Sequence, residues 1–148
     1  MDRRDSLLTL AGGSLAAFAS QAAANSHQHH NMHHGHGQTQ HDALVAAASK
    51  CISTGEACLA HCLVLLAEGD KPMAACAQSV NETLAICTAL RSLAGQQSNH
   101  TPAMAKVALD ACLECEKECK KHADKHAECK ACMEACADCA KECKKLVG

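Results

Sequence analysis

The chain has 148 residues and a formal charge of −2 with both signs interspersed, a length that holds one ordinary domain and a balance that gives no electrostatic case for nucleic acid or an anionic membrane. Phe18 is its single residue of the Phe, Tyr and Trp class, whereas Cys occurs thirteen times. A core without aromatic rings has to be filled by Leu, Val, Ile, Met, Ala and Cys, and Cys at that level signals a disulfide scaffold or metal loading.

Residues 1–24 read as a twin-arginine-type signal peptide. Arg3 and Arg4 form the pair, Leu7 to Ala19 is an apolar run too short to span a bilayer, and Ala22, Ala23 and Ala24 offer small residues for cleavage before Asn25. Asp2 and Ser6 depart from the usual pattern around the pair. The expectation is an exported, periplasmic protein with no membrane contact in its mature form. Twin-arginine export carries folded cargo, so the thiols would be folded, and able to load metal, before meeting an oxidising compartment. Residues 25–41 hold seven of the eleven His among Gly, Gln and Asn, with no apolar periodicity. This reads as a disordered tail whose neutral imidazoles suit divalent copper, nickel or zinc, or as a solubilising linker.

From residue 42 to 148 the pattern is helical. A first helix over Asp42 to Glu68 places Leu44, Ala47, Cys51, Cys58, Cys62 and Leu65 on one face; Gly69 supplies its left-handed stop, and Asp70 is a candidate N-cap for the next helix. A second helix over Pro72 to Ala94 carries Cys76, Val80, Leu84 and Cys87 on one face. Thr101 and Pro102 open a third with cap and first-turn residue in the preferred order. Neither Gly nor Pro separates Lys121 from His126, and only Asp124 offers an N-cap there. A single helix to Leu146 would leave an apolar stripe unpaired, so two helices are expected. The architecture predicted is all-α, an antiparallel up-down four-helix bundle with a Cys-lined core.

The stretch from Cys112 to Cys143 holds eight cysteines in 32 residues. At about 100° per residue, Cys129, Cys132, Cys136, Cys139 and Cys143 fall within an arc of about 80° on one helix face, and Cys112, Cys115 and Cys119 form a similar stripe. Thiols thus occupy the positions where a bundle normally puts Leu, which would forfeit burial energy and leave the interior underfilled unless something else fills it. Disulfides fit poorly, because thirteen is odd and the pairs Cys58/Cys62, Cys115/Cys119, Cys132/Cys136 and Cys139/Cys143 would join only neighbouring turns. Iron–sulfur clusters take ligands from a wrapping loop, and zinc sites of four thiolates, each with a net charge of about −2, are costly to bury side by side. Cu(I) is soft, accepts two or three thiolates, and at one ion per thiolate leaves a neutral core. His41, His100 and Met104 at one end of such a tube, and Met73, His61, His122 and His126 at the other, are candidate ligands for metal moving in or out, with Met133 beside the thiol stripe. No catalytic constellation is recognisable, so the chain reads as a binding protein rather than an enzyme; an iron–sulfur, ferredoxin-like protein or a metallothionein-like zinc-thiolate buffer is the alternative.

From about His41 to Leu146 the sequence resembles the exported bacterial copper storage proteins. The resemblance rests on the thirteen cysteines, on LAICTALRSLA around Cys87, on DACLECEKECKKHADKHAECKACMEACADCAKECKKL, and on the twin-arginine signal. It implies a four-helix bundle whose inward thiols bind many Cu(I) ions per chain, frequently assembled as a homotetramer and serving as a reserve for copper enzymes; the sequence itself does not separate storage from copper detoxification. Protein partners would then be copper donors or recipients. The ligands implied are Cys51, Cys58, Cys62, Cys76, Cys87, Cys112, Cys115, Cys119, Cys129, Cys132, Cys136, Cys139 and Cys143.

Overall fold

A computed structural model describes residues 40–147 of the chain. The expected signal peptide and nearly all of the His-rich segment lie outside the described residues. Four helices follow in order, α1 (Asp42–Ala67), α2 (Met73–Gly95), α3 (Thr101–Lys120) and α4 (Ala127–Val147). Each packs on two others: α1 and α3 both lie against α2 and α4, and the pairs α1/α3 and α2/α4 face each other diagonally.

The up-down direction is visible in the sulfurs that meet between α1 and α2. Cys62 meets Cys76, and Cys51 meets Cys87, so a step of eleven residues back along α1 is matched by eleven forward along α2. The helices end where the sequence predicts, within a residue or two. Gly69 takes a φ of +96°, the left-handed conformation that stops α1 and that a side chain would strain. The break before α4 is made by turns over residues 121–125, so the long single helix does not form.

The caps differ from expectation. Asp70 does not cap α2: the residue before that helix is Pro72, and Asp70 contributes only its carbonyl, which accepts the Met73 N–H at 3.1 Å. Thr101 is the first residue of α3 rather than its cap, and its buried hydroxyl has no hydrogen-bond partner. Thr101 is fully buried in the core, where an unsatisfied hydroxyl costs about 1–3 kcal/mol. Asp124 lies three residues before α4 begins, too early to cap it.

Within the core, Ala48 rather than Ala47 is fully buried on α1, and Thr83 on α2 is buried where Leu84 is only half-buried. Leu84 instead packs over Gly55 of α1, where an added methyl would lie 2.9 Å from its Cδ2. This glycine lets the two helices approach. Thr83 donates from Oγ1 to the Ala111 carbonyl at 3.2 Å, tying α2 to α3. By length and composition α1 would pass for a membrane span, with mean hydropathy 1.4. In the fold it is a bundle helix, and its surplus of apolar residues shows as outward-facing Leu63 and Val64, each 56% exposed.

One end of the bundle is an apolar plug. Leu44 and Ala48 of α1, Leu90 and Ala94 of α2, and Ala105 and Ala108 of α3 are buried there, and all six lie on the stretches of these helices that carry no cysteine. Leu90 is among the largest fully buried side chains of the domain. Leu90→Ala should therefore lower unfolding free energy by about 2–5 kcal/mol, the range for a buried leucine whose cavity cannot collapse. Urea denaturation of the reduced protein measures it, and a change below 1 kcal/mol, roughly what a collapsible or exposed site gives, would contradict the plug.

Candidate metal centre

All thirteen cysteines are buried and none is in a disulfide. Helix geometry explains why they converge: spacings of three, four, seven or eleven return a side chain to the same face. α1 contributes Cys51, Cys58 and Cys62, α2 Cys76 and Cys87, α3 Cys112, Cys115 and Cys119, and α4 Cys129, Cys132, Cys136, Cys139 and Cys143. Every sequence-predicted ligand therefore faces the bundle axis.

The sulfurs form two continuous chains. In the first, Cys129 lies 3.8 Å from Cys58, which is 4.0 Å from Cys62; Cys62 is 3.9 Å from Cys76, and Cys76 is 3.6 Å from Cys119. The same chain continues through Cys115 and Cys132, each step 3.9 Å. The second runs Cys136, Cys51, Cys87, Cys112 at 3.6, 3.8 and 3.7 Å. These separations far exceed the S–S bond of about 2.05 Å, and they are the sulfur spacing a bridging metal ion sets when it sits about 2.3 Å from each. Four groups bring their sulfurs within 4.8 Å of one another: Cys58, Cys62, Cys76 and Cys129; Cys51, Cys87 and Cys112; Cys58, Cys119 and Cys132; and Cys115, Cys132 and Cys136. Cys139 and Cys143 stand outside these sets.

Crowded sulfurs in a dry core share protons. Hydrogen bonds from Cys112 and Cys143 pull Cys139 down to about 5. At Cys132 the contact with Cys115 acts upward, but those with Cys119, Cys136 and Cys58 outweigh it and bring the thiol to about 6. Cys62 and Cys129 move the other way, pushed up chiefly by burial and then by the neighbouring Cys58, and Cys143 is raised by Cys139 and by burial. Neighbouring sulfurs thus push one another in opposite directions, and each metal ion bound would displace protons from the thiols it takes as ligands.

The end away from the apolar plug brings two imidazoles together. His61 on α1 and His126 before α4 approach with Nε2 and Nδ1 2.9 Å apart, and His61 also lies 3.8 Å from a Glu128 carboxylate oxygen. Met73 is fully buried at the start of α2. The approach of Glu128 to His61 depends on how α1 and α4 pack and has no local sequence signal. Thr83, whose hydroxyl donates to the carbonyl of Ala111 next to Cys112, was equally unmarked. At the plugged end, His100 and Met104 share a surface hollow with Leu93, Ala103 and Val107, and no thiol joins them.

A family model described as copper storage protein matches residues 37–148. The chain belongs to the copper storage protein family. Solved structures of copper storage proteins share its fold. The metal-free copper storage protein 3 of Bacillus subtilis is 26% identical, with a TM-score of 0.64 over 73% of this chain and 99% of that one. A Cu(I)-bound copper storage protein is 25% identical, with a TM-score of 0.66 over 73% and 98%. A cytosolic copper storage protein from Streptomyces lividans, carrying five coppers, is 26% identical, with a TM-score of 0.62 over 70% and 88%. No curated protein matches the sequence. The expectation of an exported, periplasmic protein is corrected by these findings: a copper storage protein of the same fold is cytosolic, so membership of the family does not carry export with it.

Proton occupancy of this copper storage family core gives a test. Cys62, Cys129 and Cys143 keep their protons above the ordinary thiol value of 9.0, so from pH 9 upward the folded state binds more protons than the unfolded chain, and stability falls as pH rises. With no tyrosine in the chain, thiols dominate this window until lysine titrates. The Tm of reduced, metal-free protein should drop as pH rises from 9, and a flat profile there would count against the proton inventory.

Proposed function

We propose that the chain stores Cu(I), holding many ions per molecule through the thirteen cysteines inside the bundle, and that it works as a reservoir rather than a catalyst. The observation that carries this reading is the pair of unbroken sulfur chains, with steps of 3.6 to 4.0 Å between fully buried thiols. Each sulfur can bridge the ions on either side of it, and one Cu(I) per thiolate keeps the interior neutral. Iron–sulfur and zinc-buffer functions gain no support: the ligands lie along helix faces, not in a wrapping loop, and the family stores copper.

Three finer features belong to the same reading. Copper passes through the end bearing His61, Met73 and His126, because the opposite end is plugged by Leu44, Leu90 and Ala105. Exposed Leu63 and Val64 on α1 support self-association, with a homotetramer as the expected assembly. The His-rich segment 25–41 would collect copper for the bundle, and donor or recipient proteins would meet the chain at its open end.

Anaerobic Cu(I) titration of the reduced protein against a chromophoric chelator tests the proposal, with a variant carrying serine at Cys132, Cys136, Cys139 and Cys143 alongside. The wild type should bind Cu(I) in a number approaching its thirteen thiols, and the variant should lose capacity roughly in proportion to the thiols removed. Uptake of only one or two ions would sink the storage reading.

A further inference from the structure

We propose that Cys58, Cys62, Cys76 and Cys129 form a tetrahedral site for one divalent cation of the Zn(II) class at the end of the bundle away from the apolar plug. This is a resident site for a second metal, not a zinc-buffer function for the whole chain. Of the four sulfur groups, it alone supplies four ligands; the other three supply three each, which suits trigonal Cu(I) and leaves a tetrahedral divalent ion short of a ligand. Its measured edges are 3.8, 3.9 and 4.0 Å. The other three edges lie within 4.8 Å, and a zinc–sulfur bond of about 2.3 Å gives a tetrahedron with sulfur edges of about 3.8 Å, so the ion would draw the four sulfurs together by at most about 1 Å along any edge.

Charge decides why such a site belongs here and not deeper. Four thiolates around a divalent ion carry a net charge of about −2, which is costly in a dry core. Cys76 is the fourth residue of α2 and Cys129 the third of α4, so two of the four sulfurs sit in the first turn of a helix, where unpaired N–H groups and the positive end of the helix dipole favour an anion. Cys119, by contrast, is in the last turn of α3, and Cys51 and Cys87 are mid-helix. The bound ion would tie α1, α2 and α4 together at the mouth and hold its four thiols as thiolates. Cu(I), which prefers thiolate more strongly, would replace it by ligand exchange, releasing the divalent ion without any redox step.

Co(II) is the probe, added anaerobically to the reduced, metal-free full chain. Expected are the intense ligand-field bands and sulfur-to-cobalt charge transfer of a tetrahedral tetrathiolate, saturating at one equivalent per chain and bleached by Zn(II). The His-rich segment cannot imitate this spectrum. Cys76→Ser and Cys129→Ser should each abolish the tetrathiolate bands, whereas Cys143→Ser, near the plugged end, should keep them. Helical circular dichroism confirms that each variant is folded. Absence of the bands, saturation at several equivalents, or bands that survive in folded Cys76→Ser would overturn the proposal. Cu(I) capacity measured on the same samples separates this outcome from failure of the storage reading: high Cu(I) uptake without a cobalt tetrathiolate rejects the divalent site alone.

Discussion

The structure depends on a substitution at its centre: sulfur stands where a helix bundle ordinarily places branched hydrocarbon. Beyond Met73, Leu90, Val80 and Thr101, the bulkiest fully buried side chains are cysteines, and most of the rest of the core is alanine. Small side chains on facing helices let the backbones approach, as at Gly55 under Leu84, and this keeps sulfurs from different helices within 4 Å of one another. Apolar burial is displaced outward to half-buried Leu59, Leu65, Leu66, Leu84, Ile86, Leu109 and Leu146, which flank the axis. The bundle is thus held at its rim while its middle is left to ligand chemistry.

This division explains how much could be read without coordinates. Helix existence, helix number and the inward direction of all thirteen cysteines follow from periodicity alone, because spacings of three and four leave no other common face. Gly69 was legible too, since a positive φ at a helix end has few other residues to choose from. What periodicity does not hold is which sulfur meets which across the axis. The pairing of Cys51 with Cys136, or Cys76 with Cys119, depends on connection lengths and on the depth at which the helices mesh. The same is true of His61, His126 and Glu128, which come from separate helices and a turn.

Capping was the poorest guide. Thr101-Pro102 has the composition of a helix start, yet the hydroxyl turns into the core and bonds to nothing, and Asp70 serves through its backbone only. Local rules describe what a residue prefers when its surroundings are solvent; at the mouth and base of a narrow bundle the surroundings are other helices. The expectation of export is a different case. It rested on residues 1–24 alone, outside the described helices, and a cytosolic copper storage protein of the same fold overturns it.

The apolar plug has a consequence for order in time. A file of sites open at both ends can pass ions through, so that residence does not depend on the moment of arrival. Under the proposed function, closing one end with Leu44, Leu90 and Ala105 would turn the file into a stack, in which ions that migrate to Cys139 and Cys143 would leave only after those nearer Cys62 and Cys76 have moved. Such a vessel has two kinds of content without needing two kinds of ligand: a shallow fraction that exchanges readily with its surroundings, and a deep fraction whose release waits on depletion of the first.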